Sequence, residues 1–86
     1  MDLVIGHKHV YRAERTNGSK CPTAKALIDA GFKDVEVDIE HICVNDKWYK
    51  MPQTLIEAIS DFDGGGSFKK GTYRIAGLKR PKVTVS

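Results

Sequence analysis

The histidines and cysteines are the side chains of this sequence best suited to chemistry. His7 and His9 lie in a segment, residues 3–13, whose mixture of β-branched, aromatic and polar residues predicts a strand. Residues two apart on a strand share a face, so both imidazoles would point the same way. His41 and Cys43 have the same spacing on another predicted strand, and neighbouring strands would let the four side chains bind a zinc ion. The alternative is a solvated polar face, with Cys43 filling a small apolar gap.

Cys21 is the candidate for thiol chemistry. It immediately precedes Pro22, where a helix is expected to begin. A helix dipole lowers the pKa of a thiol at its N-terminus, and His41 would be the nearest base for a nucleophilic Cys21. The alternative is a small, partly buried residue beneath the Pro22 turn. Because the sequence assembles no Ser-His-Asp set, dinucleotide fingerprint or Cys-x-x-Cys pair, we assign no catalytic residue and, zinc apart, no cofactor.

A basic C-terminal segment is a candidate nucleic-acid site. Its residues are the cationic side chains and the single tyrosine of the last predicted strand and the tail: Lys69, Lys70, Tyr73, Arg74, Lys79, Arg80 and Lys82. Cationic side chains follow a phosphate backbone while an exposed aromatic ring stacks on bases. The alternative is a solvated edge strand whose lysines prevent pairing with other sheets.

An aromatic pair beside acidic residues is a candidate protein-binding site. Adjacent strand residues point to opposite faces, so one of Trp48 and Tyr49 is expected in the core and the other outside. The full candidate set is Trp48, Tyr49, Glu36, Asp38 and Glu40. An aromatic anchor within a charged rim is typical of protein interfaces. A half-buried aromatic that covers a thin sheet is the alternative.

Two helices are expected to position these residues. The first begins at Pro22, and Gly31 followed by Phe32 predicts a Schellman ending in which Phe32 folds back on the helix. The second begins at Pro52 and ends at a run of three glycines. The expected apolar stripes are Ala24, Leu27 and Ile28 on the first helix, and Leu55, Ile56, Ile59 and Phe62 on the second.

Strands are expected before, between and after the helices. Val35, Val37 and Ile39 alternate with acidic residues, which predicts a half-buried strand with a break near residues 40–41. Residues 42–44 and 47–50 flank Asn45-Asp46 as a hairpin, and residues 71–76 form the last strand. The order β-α-β-β-α-β predicts the α+β class, with a small antiparallel sheet and two helices in a ferredoxin-like arrangement.

Composition and charge limit the class of protein. The chain has 86 residues, 41% of them hydrophobic and 29% charged, which is typical of a folded domain. We expect one domain over residues 1–78 and a basic tail over 79–86. The segment charges are +2 for residues 1–32, −5 for 33–63 and +6 for 64–86, which sum to +3 and predict two electrostatically different faces. The sequence shows neither a membrane span nor a signal peptide, and two cysteines favour reduced thiols in a cytoplasm.

Part of the chain resembles a family of small, uncharacterised proteins from tailed phages and prophages. The resemblance covers residues 21–64, through the segments Cys21-Pro22-Thr23-Ala24-Lys25-Ala26-Leu27, Ala30-Gly31-Phe32, Asp34-Val35-Glu36-Val37, Met51-Pro52 and Asp61-Phe62-Asp63-Gly64. It implies a phage-encoded accessory protein in a bacterial host cytoplasm. Such proteins often occupy a host protein, for example a CRISPR effector, another defence enzyme or a polymerase.

These observations favour a non-enzymatic interaction module that binds and blocks a host macromolecule. A nucleic-acid-binding protein that uses the basic strand and tail is the first alternative. A small metal- or thiol-dependent enzyme is the second. Sheet edges make a homodimer plausible, and no membrane partner is expected.

Overall fold

The computed structural model describes residues 1–15 and 17–79, which form short antiparallel strands and helices. The elements are β1 (Asp2–Ile5), α1 (His7–Val10), α2 (Pro22–Asp29), β2 (Val35–Val37), β3 (His41–Val44), β4 (Lys47–Lys50), α3 (Gln53–Asp63) and β5 (Gly71–Arg74). The predicted α+β class is confirmed. The basic tail beyond Lys79 lies outside the described residues.

The strands form two sheets instead of the single sheet that was predicted. β1 pairs with β5, and β2, β3 and β4 form a separate three-stranded antiparallel meander. The ferredoxin-like order is wrong because the break at residues 38–40 is a tight turn, closed by the Asp38 amide donating to the His41 carbonyl at 2.8 Å. This turn pairs β2 directly with β3, so three strands separate the two longer helices.

The β3–β4 hairpin has the predicted turn. Asn45 and Asp46 have φ values of 52° and 65°. Positive φ at both central residues is the pattern of a type I′ turn, whose twist matches that of the flanking strands. The turn sets the register that pairs Cys43 with Trp48 and Ile42 with Tyr49.

α2 begins and ends as its sequence predicts. Cys21 is the N-cap, and its sulfur accepts the Ala24 amide at 3.4 Å. At the other end Gly31 has φ 102°, and the Phe32 amide donates to the Leu27 carbonyl at 3.1 Å, which completes the Schellman motif. The predicted stripe is wrong at Ile28, whose side chain is 53% exposed.

The predicted first strand stops early. β1 ends at Ile5, and α1 follows because the Gly6 carbonyl accepts the amides of His9 and Val10 at 3.0 and 3.3 Å. The His9 ring is buried, and both of its ring nitrogens have polar partners that stabilise this turn. Its Nδ1 accepts the Gly6 amide at 2.9 Å, and its Nε2 lies 3.1 Å from a carboxylate oxygen of Asp29 on α2.

α3 packs its predicted stripe inward, with Leu55, Ile59 and Phe62 buried and Ile56 half-buried. Arg15 satisfies carbonyls at the C-terminal end of this helix. Its Nε donates to the Phe62 carbonyl at 2.8 Å and its Nη2 to the Gly66 carbonyl at 3.2 Å. A helix leaves its last four carbonyls without intrahelical partners, so the bond to Phe62 stabilises the helix end. The bond to Gly66 joins Arg15 to the loop that follows the helix.

The core combines both sheets and both longer helices in one hydrophobic cluster. Its largest fully buried aliphatic side chains are Leu3 and Ile5 of β1, Leu27 of α2, Ile42 of β3, Leu55 of α3, and Ile75. Burial of these side chains leaves one face of each sheet toward solvent. None of the helices in the described part of the chain is long and apolar enough to cross a bilayer.

Candidate functional site

The outer face of the three-stranded sheet presents the exposed aromatic residue that the sequence predicted. The strand register places Glu36, Cys43 and Trp48 side by side across β2, β3 and β4. Trp48 is 57% exposed, whereas Tyr49 points to the opposite face and is half-buried against the core. The prediction that one aromatic residue lies inside and the other outside is therefore confirmed.

His41 supports the indole of Trp48 on this face. The two ring centroids are 6.4 Å apart with the planes at 85°, an edge-on contact. Cys43 is half-buried in the middle of the row, while Glu36, Asp38 and Glu40 are exposed. We call the surface formed by Glu36, His41, Cys43 and Trp48 the Trp48 face. This surface combines the exposed Trp48 ring, in edge-on contact with His41, with the carboxylate of Glu36 at its border.

The loop at residues 17–20 covers the open edge of β2. The Val37 amide donates to the Gly18 carbonyl at 2.8 Å. A Cβ atom on Gly18 would lie 2.4 Å from an oxygen of the Glu36 side chain and 2.5 Å from the Val37 carbonyl oxygen. Only glycine fits at this approach, so residue 18 sets how closely the loop packs on the edge of the Trp48 face.

An apolar groove lies beyond β2, between the turn at residues 38–40 and α3. It consists of two adjoining cavities of about 300 and 410 Å³ that share Ile39, Ile59 and Asp63. Ile39 is 74% exposed, because β2 ends at Val37 and the turn carries Ile39 out of the sheet. The prediction that Ile39 alternates inward with Val35 and Val37 is therefore wrong. We call this surface the Ile39 groove.

A second groove has the opposite charge. Lys33, Lys47 and Lys79 line a cavity of about 510 Å³ together with Tyr49, and no carboxylate is among its described lining residues. None of the three lysines forms an ion pair with a described residue, in contrast to Lys8 with Asp29 and Lys20 with Glu14. We call this surface the lysine groove.

The proposed zinc ligands do not come together. His7 and His9 lie on a helix and not on a strand, with His7 exposed and His9 buried against Asp29. His41 and Cys43 lie on β3, where His41 contacts Trp48. Within residues 1–15 and 17–79, no group of three or more His, Cys, Asp or Glu side chains has the geometry to bind a metal ion.

Cys21 caps α2 as predicted, yet its environment opposes thiolate formation. Burial is the main cause that raises the pKa of the Cys21 thiol above its ordinary value of 9.0, and the negative charge of Asp63 adds to it. Hydrogen bonds from the backbone amides of the helix N-terminus act in the opposite direction and are outweighed. The hypothesis of a helix-activated nucleophile at Cys21 is therefore wrong.

The predicted nucleic-acid residues have mixed positions. Tyr73 is buried, its ring packs against Phe68, and its hydroxyl donates to the Lys69 carbonyl, so the prediction of a stacking platform at Tyr73 is wrong. Arg74 stands opposite Asp2 on the paired strand. The side chains of Lys69, Lys70 and Lys79 are exposed, and Arg80 and Lys82 lie outside the described residues.

Two features were missed at the level of sequence. The Ile39 groove had a signal, because Ile39 and Ile42 differ in strand parity and one of them had to leave the inner face. The lysine groove had none. Lys33, Lys47 and Lys79 come from the loop after α2, from β4 and from the segment after β5, and only the tertiary fold brings them together.

Comparisons with known proteins do not place the chain in a family. It matches no protein-family model, no curated protein and no solved structure. Function therefore has to be argued from the surfaces described above.

Proposed function

We propose that this chain is a non-enzymatic protein-binding module whose contact surface is centred on the Trp48 face. The observation that carries the proposal is the exposed indole of Trp48, held by the edge of His41 and aligned with Cys43 and Glu36 across the sheet. Solvent covers more than half of this side chain in the free chain. A partner that covers it gains a large apolar area at low entropic cost.

Tryptophan is among the residues most enriched at binding hot spots, where truncation to alanine costs about 2 kcal/mol or more. The half-buried Cys43 beside it extends the apolar centre, and the exposed carboxylates of Glu36, Asp38 and Glu40 border the same sheet and its turn. Carboxylates at a rim favour encounter with a basic partner and increase the association rate more than the affinity. This arrangement supports binding without chemistry.

In its biological form the proposal is a phage-type accessory protein that binds and blocks a host macromolecule, such as a CRISPR effector or another defence protein, in a bacterial cytoplasm. The resemblance of residues 21–64 to small phage proteins supports this role.

Affinity capture from bacterial lysate with matched variants tests the proposal. Tyr11 is the control, because its exposure of 57% equals that of Trp48 and it lies outside the Trp48 face. We expect one protein to be retained stoichiometrically by the wild type and by Tyr11→Ala, with and without nuclease. Trp48→Ala should retain it at least about 30-fold less tightly. Equal retention by both variants would contradict the proposal.

The lysine groove supports a second candidate function, binding to a nucleic-acid strand. Three lysines that form no ion pair with a described residue line the groove beside a half-buried aromatic side chain, Tyr49, and no carboxylate is among the described lining residues. This combination matches single-strand binding sites, in which cationic side chains follow the phosphates. It replaces Tyr73 with Tyr49 as the aromatic contact and retains Lys79 from the predicted basic segment.

A further inference from the structure

We infer that the Ile39 groove seats an aliphatic side chain of a protein partner whose flanking residues are lysine or arginine. The inference rests on the proposed protein-binding function and adds a second contact with its own chemistry. It is carried by three observations: the shape of the groove, the sign of its charges, and the surfaces that this chain itself could offer.

The shape is that of a receptor for a side chain. Ile59 forms the floor of both cavities, with Val37 on the sheet side and Ile56 on the helix side. Ile39 overhangs the groove and is the most exposed of the large hydrophobic side chains in the described residues. Ile59 and Val37 are themselves buried, so the apolar surface open to a partner is that of exposed Ile39 and half-buried Ile56. A partner's aliphatic group that packs against these two side chains removes their surface from water.

The charges select the residues next to that aliphatic group. The ionisable groups among the described lining residues are the carboxylates Asp38, Glu40 and Asp63 together with the thiol of Cys21, and neither lysine nor arginine is among these described residues. The negative charge of Asp63 also contributes to the raised pKa of the Cys21 thiol, of which burial is the main cause. Lysine or arginine beside the inserted side chain would meet complementary charge, whereas an acidic segment would be repelled.

The described surface of a second copy fits the groove poorly. Within residues 1–15 and 17–79, the other large exposed aliphatic side chains are Val4 and Ile28. Val4 lies between Leu3 and Ile5, and Ile28 lies between Leu27 and Asp29, so neither has an adjacent basic residue. The described surface of the chain thus offers no matching group, so the proposal commits to a different protein as the occupant, and self-association is one of the results that the test can return.

The Ile39 groove is adjacent to the Trp48 face along the chain. His41, which contacts the Trp48 ring, follows Ile39 by two residues, and Glu40 lies between them. A single partner segment can therefore approach both surfaces around the turn at residues 38–40. The two contacts are separable by mutation because Trp48 does not line the groove.

Selection from a displayed library of random linear peptides, with the full chain as bait, tests the inference. Ile39→Asp is the counter-selection bait. Ile28→Asp is the matched control, since Ile28 is also an exposed isoleucine but lies on α2 outside the groove. Both sites are exposed, so both variants should fold, which their unfolding transitions will verify.

We expect the enriched peptides to share an aliphatic residue flanked by lysine or arginine. They should bind the wild type and Ile28→Asp equally, and Ile39→Asp at least about tenfold more weakly. Glu40→Lys should weaken them in the same direction without a change in fold. The inference would be overturned if the enriched peptides were acidic, or if the wild type and Ile39→Asp enriched the same peptides. It would also be overturned if the wild type enriched no peptide relative to Ile39→Asp, or if the chain formed a dimer through this groove.

Trp48→Ala separates this inference from the proposed function. If the groove fails the peptide test while protein capture still depends on Trp48, only the inference is lost. If capture does not depend on Trp48 while the groove selects basic aliphatic peptides, the Trp48 face is not the contact surface. Loss of both results would remove the protein-binding function itself.

Discussion

Gly18 shows how one residue fixes the edge of the Trp48 face. Its φ is not in the left-handed region, so conformational freedom is not the reason for a glycine here. The reason is the approach of the loop to β2, where a hydrogen bond of 2.8 Å joins the Val37 amide to the Gly18 carbonyl. A side chain cannot enter this contact without moving the strand or the loop.

We predict that Gly18→Ala destabilises the fold by about 1–3 kcal/mol, as overpacking does in cores. The added Cβ would lie 2.5 Å from the Val37 carbonyl oxygen, a backbone atom that cannot rotate away. Urea unfolding measures the effect. Gly6→Ala is the control, because a Cβ there meets nothing within 4 Å and φ is −112°. Equal stability changes in the two variants would contradict the packing described for residue 18.

Cys21 makes stability depend on alkaline pH. Burial raises the pKa of its thiol in the folded chain above the ordinary 9.0, so the folded state holds its proton at pH values where the unfolded state releases it. Stability from this group is fully present below about pH 9 and is lost as pH rises toward the folded pKa. Burial likewise raises the pKa of Tyr73 above its ordinary 10.0, which adds a similar loss at higher pH.

The variant Cys21→Ser isolates this dependence. Serine keeps an acceptor for the Ala24 amide at the N-cap and does not titrate in this range. We expect the free energy of unfolding of the wild type to fall as pH rises above about 9, and that of the variant to fall less over the same range. Parallel curves for the two proteins would show that Cys21 does not titrate differently on folding.

At the scale of elements, local signals predicted local structure well. Pro22 and Gly31 marked the ends of α2, the apolar stripe marked α3, and Asn45-Asp46 marked the hairpin, because caps, periodicity and turn residues act within a few positions. Strand pairing was not predictable in this way. β1 pairs with β5 across almost the whole described chain, from Asp2 to Arg74, and the two strands carry no sequence mark of each other.

The candidate site shows the same division. The alternation of Trp48 and Tyr49 predicted one exposed ring, but only the hairpin register assigns Trp48 to the outer face beside Cys43. The prediction that residues 7–9 continue the first strand, with both imidazoles on one face, was wrong, because Nδ1 of His9 accepts the Gly6 amide and closes a helical turn. Side-chain hydrogen bonds to the backbone compete with strand formation in this way, and periodicity does not reveal them.

The β3–β4 hairpin predicts opposite changes in thermal stability for two substitutions of Asp46. Asp46 has φ 65°, a conformation that costs an ordinary residue about 1–2 kcal/mol and glycine almost nothing. Asp46→Gly should therefore raise the temperature of thermal unfolding, and Asp46→Ala should lower it. A decrease in both variants would indicate that the aspartate side chain, and not its backbone conformation, determines the stability of this turn.

At the scale of the whole molecule, the fold places acidic and basic side chains in two different grooves. The acidic middle segment provides the carboxylates of the Ile39 groove. The lysine groove collects one lysine from the C-terminal block and two from the middle segment, so its charge does not follow from segment totals. If both grooves bind partners as proposed, the acidic groove would favour basic partners and the lysine groove acidic ones.

The lysine groove predicts salt-dependent binding to single strands. If Lys33, Lys47 and Lys79 each neutralise a phosphate, replacing all three with glutamine should reduce the slope of log affinity against log salt by about 2. Fluorescence anisotropy with a labelled thymidine oligomer measures this slope. Lys8→Gln with Lys20→Gln is the control, because both lysines are already paired with carboxylates. An unchanged slope would remove the nucleic-acid candidate.

Photo-crosslinking from Cys43 tests the central claim most directly. Cys43 lies between Glu36 and Trp48 on the Trp48 face, and the burial and raised pKa of Cys21 direct a thiol-reactive benzophenone to Cys43. The control carries the label on α2, as Ile28→Cys with Cys43→Ser. We predict that the Cys43 label crosslinks to one protein in bacterial lysate and that nuclease treatment leaves this crosslink unchanged. Excess unlabelled wild-type chain should prevent the crosslink, whereas excess unlabelled Trp48→Ala should not. Crosslinking of that protein only from position 28, or equal displacement by Trp48→Ala, would contradict the Trp48 face as the contact surface.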